Sequence, residues 1–289
     1  MYKLFFVLFP LLLALAAGGC STTPEPTSRP PETLYTEGMQ ALENGRFKIA
    51  AERFQEIDQK HPFSKWATRS QINLIYAHFK QGEFEDAVND AARFIRLHPR
   101  HRHAAYAFYM RGLANYQRIS DSYRDQSRTR DAITAFRELI VRFPKSDYAY
   151  EAKRMLVLCT NRLAEQEMVV GRYYLDREEY IAAISRFNQV INNPEFQTTP
   201  YVEEALFSLV LASQRLGLMD EARNYAAVLG HNFKNGAFYK AASRLVQQTG
   251  DVSRGELAKL RQGVDEGSLF GRFFQGLAPA LLPSQTTAK

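Results

Sequence analysis

Apolar residues recur at helical spacing along most of the chain, in pairs of segments separated by short breaks. Between residues 64 and 112, one such segment stops at Gly82, and the next starts at Phe84 and stops at Pro99. In the second segment, apolar or small residues follow an i, i+3, i+4, i+7, i+11 pattern, which predicts an amphipathic helix. Proline cannot continue a helix, so it marks the end of the pair. Neither helix can bury its apolar surface alone, so the pair requires neighbouring pairs.

The same paired pattern recurs roughly every 34 to 40 residues, with a small residue early in the second helix and a proline at its end. This organisation resembles the tetratricopeptide repeat (TPR). Three first-helix glycines, Gly38, Gly112 and Gly171, fall where that repeat has a small residue for close helix packing. Repeats two and five depart from the pattern, because Ile75 and Val210 stand there. The prediction is an all-α fold, a TPR-type helical solenoid of about five helix–turn–helix repeats.

The repeats divide into two halves joined by one long helix. Residues 146–176 contain a single glycine and no proline, and their apolar positions fit one unbroken helix. It would link an N-terminal half, 33–145 with repeats one to three, to a C-terminal half, 146–248 with repeats four and five and a closing helix. Residues 118–128 interrupt repeat three with roughly eight extra residues. Residues 249–289 are expected to form a flexible tail.

The first 32 residues predict export and lipid anchoring. The apolar run 4–17 is shorter than the roughly 20 residues that span a bilayer, so residues 1–19 are expected to be a signal peptide. The sequence Ala17-Gly-Gly-Cys20 resembles a bacterial lipobox, which implies a palmitate-type acylation of Cys20. Ser21 follows instead of the inner-membrane signal Asp, which by resemblance directs the protein to the periplasmic face of the outer membrane. Residues 20–32 would form a Pro-rich tether.

Composition argues for a folded scaffold without catalytic chemistry. The 289 residues are 45% hydrophobic and carry a net charge of +6, but positive and negative residues are interleaved, so nucleic acid is not an expected partner. The second cysteine, Cys159, lies in an apolar helix and is expected to be a buried thiol. His98, His101 and His103 lie in a turn without carboxylate or cysteine neighbours, so no metal site is predicted. No phosphate loop, nucleophile elbow or cofactor motif appears, and we expect no enzyme activity.

The concave face of a TPR array is lined mainly by first helices and binds extended peptides or partner domains. At the matching positions this chain has aromatic, apolar and cationic residues. The predicted groove consists of Tyr35, Met39, Arg69, Ile72, Asn73, Tyr76, Phe79, Lys80, Tyr106, Tyr109, Leu113 and Tyr116. Arg69 and Lys80 favour a peptide with a negative group, such as a terminal carboxylate. For each aromatic residue, a position in the core remains an open alternative.

Four stretches carry a more specific resemblance: HPFSKWATRSQINLIYAHFK at 61–80, RFIRLHP at 93–99, YMRGL at 109–113 and RFPKSDYAYEAKRM at 142–155. They are similar to the BamD (ComL) family, outer-membrane lipoproteins of the β-barrel assembly (Bam) machinery. The resemblance implies partners: the POTRA domains of BamA, other Bam lipoproteins, and unfolded outer-membrane proteins, whose C-terminal β-signal commonly ends in an aromatic residue. By the same resemblance, Arg186 is implied to contact BamA.

A second function remains open at this stage. TPR lipoproteins can also act as adaptors for periplasmic peptidoglycan hydrolases or proteases. A hydrolase within the repeats themselves is disfavoured, because no acid–base or metal arrangement is present in the sequence.

Overall fold

The computed structural model describes residues 29–119, 126–247 and 252–265, and within them the chain is built from helices and the turns between them. The signal peptide, Cys20, most of the tether, the centre of the insertion in repeat three and the end of the tail lie outside the described residues. The described helices are α1 Pro31–Glu43, α2 Phe47–Lys60, α3 Ala67–Gln81, α4 Phe84–Leu97, α5 Ala104–Gln117, α6 Ser127–Arg142, α7 Asp147–Asp176, α8 Tyr180–Asn192, α9 Tyr201–Arg215, α10 Met219–Asn232, α11 Ala237–Val246 and α12 Arg254–Asp265.

The helices pair as the hydrophobic pattern predicts. Each helix from α1 to α10 packs against the helix that follows it, which gives five helix–turn–helix repeats followed by a closing helix, α11. First helices of successive repeats also pack side by side, α3 on α5, α5 on α7 and α7 on α9. This confirms the all-α TPR-type solenoid. Among the described residues, no helix combines the length and the continuous apolar character needed to cross a bilayer.

Close helix packing at the first-helix glycines is also confirmed. A Cβ atom on Gly38 would come within 2.6 Å of the Phe54 ring, and one on Gly171 within 2.5 Å of the Phe187 ring. Real Cβ atoms do not approach other atoms so closely, so only glycine lets the two helices of these repeats pack at this distance.

The long helix α7 connects the two halves of the core. It is 30 residues long and begins with an N-cap at Ser146, whose hydroxyl accepts a hydrogen bond from the Ala149 amide. Met155 and Cys159 pack into the core formed with repeats two and three. Two turns further along, Ala164 and Met168 pack into the core of repeats four and five. The predicted linking helix is therefore present.

The beginning of the tail differs from the prediction. The region from 249 was expected to be flexible, but Val252, just before α12, and Leu257, within α12, pack on the C-terminal core, and both are at most 9% exposed. An ion pair also attaches α12 to this core, because Arg261 Nε lies 3.1 Å from Oε1 of the buried Glu204. The sequence concealed this, because the segment has few apolar residues and its main attachment is an ion pair to a residue far away in the chain.

Candidate peptide-binding site

The structure divides the predicted groove residues into a buried and an accessible group. Tyr106 and Tyr109 have no exposed surface, and the ring of each lies 5.6 Å from the ring of Tyr148 at the start of α7. Because α7 is the first helix of the next repeat and packs on α5, it covers the stripe that was expected to face a groove. Tyr106 and Tyr109 are therefore core residues, the alternative that the sequence left open, and the prediction that they are accessible is wrong.

The remaining groove residues of α3 and α5 are also enclosed, apart from Arg69 and Lys80. Those with at most 8% of their surface exposed are Ile72, Asn73, Tyr76, Phe79, Leu113 and Tyr116. Burial raises the pKa of Tyr106 well above its ordinary value and raises the pKa of Tyr109 in the same direction. The Tyr109 hydroxyl has no hydrogen-bond partner among the described residues. These side chains stabilise the packing of the first helices and do not offer a surface.

The accessible group lies where α1 meets the start of α3. The ring centres of Tyr35 and Trp66 are 4.7 Å apart, and the two ring planes are tilted by 31° to each other. Lys65 Nζ lies 5.2 Å and Arg69 Cζ lies 5.6 Å from the centre of the Trp66 ring. We call Tyr35, Met39, Lys65, Trp66 and Arg69 the Tyr35–Trp66 surface. Its rings are half-buried and its two cations are exposed.

The buried amide of Asn73 holds two side chains of this surface in position. Asn73 Nδ2 lies 3.2 Å from both the Tyr35 hydroxyl oxygen and the Met39 sulfur, so one amide positions two of its side chains. Lys80 does not belong to it: its Nζ lies 5.6 Å from the centre of the Phe47 ring. Arg69 and Lys80 are eleven residues apart on α3, about 16 Å along the helix. A single carboxylate therefore cannot contact both.

The sequence analysis missed Trp66 and Lys65 as site residues. Trp66 precedes α3 by one residue, outside the helical stripes from which the groove was predicted. The available signal was the spacing of the cations, since Lys65 is adjacent to Trp66 and Arg69 is three residues later. An i, i+3 spacing at the start of a helix brings a guanidinium over an indole ring.

In the C-terminal half, Arg186 lies on α8 and is already paired. Its Nη1 is 3.2 Å from Glu167 Oε2 on α7, and 39% of the arginine side chain is exposed. A partner carboxylate can reach the guanidinium from solvent, but it would share it with Glu167. The Arg186–Glu167 ion pair therefore lies at the surface, where α7 and α8 meet.

The remaining candidate groups show no sign of catalytic or metal chemistry. Cys159 is buried as predicted, and burial raises the pKa of its thiol to about 12. His98 Nε2 lies 3.0 Å from the Gln71 side-chain oxygen, and burial lowers the pKa of His101 and of His103. Within the described residues, no three His, Cys, Asp or Glu side chains converge as metal ligands would.

The repeat architecture defines a helical-repeat scaffold of the TPR type. Residues 27–229 match the YfiO family, described as outer membrane lipoprotein. The chain is 38% identical to outer membrane protein assembly factor BamD of Caulobacter vibrioides, over 83% of this chain and 80% of that protein. It is also 38% identical to BamD of Rickettsia prowazekii, over 82% of this chain and 94% of that protein. The chain belongs to this family of BamD lipoproteins.

Solved structures of repeat proteins are similar at a coarser level. The TPR2AB region of yeast Sti1 aligns over 76% of this chain at 14% identity, with a TM-score of 0.38. That score is too low for any detail of the structure or of the binding surface to be transferred.

Proposed function

We propose that this chain is a non-enzymatic scaffold of outer-membrane β-barrel protein assembly. In this role it binds the POTRA domains of BamA and receives the C-terminal β-signal of unfolded outer-membrane proteins. The main support is that BamD relatives align over 80% and 94% of their own length at 38% identity, so the repeat array is preserved as a whole and not as a fragment. The role of the scaffold is then to hold two binding surfaces at a fixed separation on one rigid array.

The Tyr35–Trp66 surface is the proposed receiver of the β-signal. A terminal aromatic ring of the peptide would pack on Tyr35 and Trp66, and the terminal carboxylate would bind Lys65 or Arg69. Those two cations have no ion pair among the described residues and already lie over the indole, so a carboxylate does not have to displace an internal partner. This assignment replaces the groove that includes Tyr106 and Tyr109, because a peptide cannot reach fully buried rings.

Tryptophan fluorescence provides a direct test, because Trp66 is the only tryptophan in the chain. A peptide ending in phenylalanine should change its emission on binding, and an amidated version of the same peptide should bind about tenfold or more weakly, since it lacks the charge. Lys65→Gln and Arg69→Gln together should weaken binding of the free-acid peptide and remove most of the difference between the two peptides. Lys80→Gln is the matched control on the same helix and should bind normally. Equal binding of both peptides by the unaltered protein would refute the carboxylate site.

The proposed attachment to the outer membrane depends on Cys20. The lipobox resemblance makes Cys20 the site of acylation, so Cys20→Ser should abolish radioactive palmitate labelling. Cys159→Ser is the control at the second cysteine and should still be labelled. Labelling that persists in the Cys20 variant would exclude a lipid at this position.

Native co-purification tests the role as a whole. The acylated protein, solubilised in mild detergent and analysed by mass spectrometry, should recover BamA and other Bam subunits. Recovery of peptidoglycan hydrolases or proteases without BamA would instead support the adaptor function that the sequence left open. The peptide experiment and this one are independent, so either half of the proposal can fail alone.

A further inference from the structure

The point where the tether joins the fold lies on one edge of the solenoid. The carbonyl oxygen of Arg29 is 3.0 Å from Nε2 of His61, which lies in the turn between repeats one and two. The Arg29 guanidinium is also bound, at 2.9 Å to Glu37 on α1 and at 2.5 Å to Glu56 on α2. Arg29 is therefore held on the folded body. Only residues 21–28 separate it from Cys20, a distance of about 30 Å at most when fully extended.

Successive turns between repeats lie along this same edge. In an antiparallel array, the turns that join one repeat to the next lie at one edge, and the turns within each repeat lie at the opposite edge. We call turns 61–66, 98–103 and 143–146, with the helix ends beside them, the inter-repeat edge. His98 Nε2 lies 3.0 Å from the Gln71 side-chain oxygen, so the second of these turns packs directly on the helix that follows the first.

The inter-repeat edge carries cations that the fold does not neutralise. Besides Lys65 and Arg69, which belong to the Tyr35–Trp66 surface, five exposed side chains on it have no ion-pair partner among the residues that the structure describes: Arg96, Arg100, Arg102, Arg142 and Lys145. Arg142 lies over the Phe108 ring at 5.3 Å and the others extend into solvent. The exposed acids at this edge are Glu32 and Asp147, so it remains positive overall.

An apolar side chain projects from the same edge. Phe63, in the turn next to His61, is fully exposed. An exposed aromatic ring on an edge that also carries cations is a combination by which peripheral proteins contact a bilayer, since the ring enters the interface and the cations bind anionic headgroups. The opposite edge lacks an aromatic ring of comparable exposure within the described residues.

We infer that the inter-repeat edge docks on an anionic lipid surface, so that the solenoid lies against the membrane with its N-terminal repeats closest to it. This inference rests on the proposed lipid anchor, since a lipid on Cys20 would hold this edge, and not the opposite one, within about 30 Å of the bilayer. The short tether supplies proximity, and Phe63 with the five cations supplies the contact.

Vesicle flotation of unacylated protein tests the surface separately from the anchor. The protein is the chain from residue 20 with Cys20→Ser, which retains every described residue. It should float with phosphatidylcholine vesicles that contain phosphatidylglycerol and not with pure phosphatidylcholine vesicles. Binding should weaken steeply at 1 M salt, where screening acts within about 3 Å. Equal flotation with both kinds of vesicle would overturn the inference.

Matched triple variants locate the surface. Arg100→Gln, Arg102→Gln and Lys145→Gln together should lower the vesicle partition coefficient about a hundredfold, at about fivefold for each cation. The control removes three exposed cations from the opposite edge by Arg46→Gln, Lys48→Gln and Arg130→Gln, and should change partition only slightly. Equal losses in the two triples would mean that only net charge matters, and would overturn the inference.

Two further outcomes separate this inference from the proposed anchor and from a protein partner. If Cys20 is labelled by palmitate but flotation does not depend on the edge, the docking surface is refuted and the anchor stands. If soluble polyglutamate binds in an edge-dependent way and vesicles do not, the edge serves an acidic protein and the lipid assignment is overturned. Phe63→Ser should lower partition severalfold without changing its salt dependence, and unchanged partition would remove the ring from the contact.

Discussion

A Cβ atom on Gly112 would lie 2.5 Å from Cε1 of Phe136, so the phenylalanine ring occupies the space that any side chain at position 112 would need. The same relation holds between Gly38 and Phe54 and between Gly171 and Phe187. Sixteen residues separate the partners in repeats one and four, and in repeat three the insertion adds eight more, as the sequence predicted.

In repeats two and five the large and small residues of this pair are exchanged between the two helices. At the equivalent positions repeat two has Ile75 and Ala91, and repeat five has Val210 and Ala226; all four are buried, with Ala226 the most exposed at 6%. A large residue on the first helix thus accompanies a small one on the second. Exchanging which helix supplies the volume keeps the core filled, which is how packed cores tolerate substitution.

The first prediction concerns Gly112→Ala. The clash with Phe136 outweighs the gain in helix propensity, so we expect the free energy of unfolding to fall by about 2 kcal/mol. Gly255→Ala is the control, because a Cβ atom there would meet only Ser253 Oγ at 3.9 Å, so only the propensity gain remains. Urea unfolding of both variants measures the difference. Equal stability of the two variants would show that the close approach carries no strain.

A size exchange in repeat three is the second prediction. Phe136→Ala alone leaves a cavity and should cost about 3–5 kcal/mol. Combining it with Gly112→Ile reproduces the Ile75 and Ala91 arrangement of repeat two, so the double variant should be more stable than Phe136→Ala. A double variant that is less stable than Phe136→Ala would contradict the equivalence of the two packing solutions.

Helical periodicity predicted the repeats well and the accessible surface poorly. The helix ends follow from residue types that are visible in a sequence. Pro99 cannot continue a helix, and Gly82 can adopt the positive φ that ends α3. Which face of a first helix stays exposed depends on its neighbours. Twelve of the fourteen residues of α5 are buried, because second helices and α7 surround it.

The sequence does carry a signal for this burial. The α5 segment AAYAFYMRGLANYQ has almost no polar face, which is typical of a helix enclosed on all sides. The attachment of α12 could not be predicted in the same way. It depends on Glu204 and Arg261, 57 residues apart in the chain, and no local pattern connects them.

The third prediction concerns Glu204, which is 1% exposed and bound by two arginines. Arg172 Nε lies 2.7 Å and Arg261 Nε 3.1 Å from its Oε1. Glu204→Ala leaves both guanidinium groups without their carboxylate and should cost about 3–5 kcal/mol. The control is Glu256→Ala, which breaks the ion pair between Glu256 and Arg244. Because both of these side chains are much more exposed than Glu204, the loss should be less than about 1 kcal/mol.

Amide hydrogen exchange distinguishes a local release of α12 from a general loss of stability. In the Glu204 variant, α12 should lose protection before the rest of the C-terminal half does, because Arg261 is its main polar attachment. Uniform loss of protection along α7 to α12 would show that α12 does not depend specifically on this ion pair.

The fourth prediction concerns alkaline pH. Burial raises the pKa of Cys159 from 9.0 to about 12, and burial of Tyr109 raises its pKa as well. A raised pKa favours the protonated, folded form, so this contribution to stability is complete below pH 9 and is lost as pH rises towards 12. We expect the melting temperature to fall steadily above pH 9, and less steeply in Cys159→Ala. Rapid maleimide labelling of the folded protein at pH 8 would contradict the burial of the thiol.

The last prediction concerns Arg186, the proposed BamA contact, whose Nη1 lies 3.2 Å from Glu167 Oε2. Arg186→Glu would place two carboxylates side by side and repel an acidic partner, so co-purification with BamA should fall tenfold or more. Arg111→Glu is the matched control. It breaks the same kind of cross-helix pair in the N-terminal half, where Arg111 Nη2 lies 2.8 Å from Glu138 Oε2, and should leave recovery of BamA unchanged.

A charge swap separates loss of the partner from loss of the internal pair. Arg186→Glu combined with Glu167→Arg restores the ion pair between α7 and α8, so the melting temperature should return close to that of the unaltered protein. Recovery of BamA should remain low, because the cation now lies on the other helix and no longer faces the partner's carboxylate. If the swap restores both stability and recovery, Arg186 acts only through the packing of α7 on α8 and does not contact BamA.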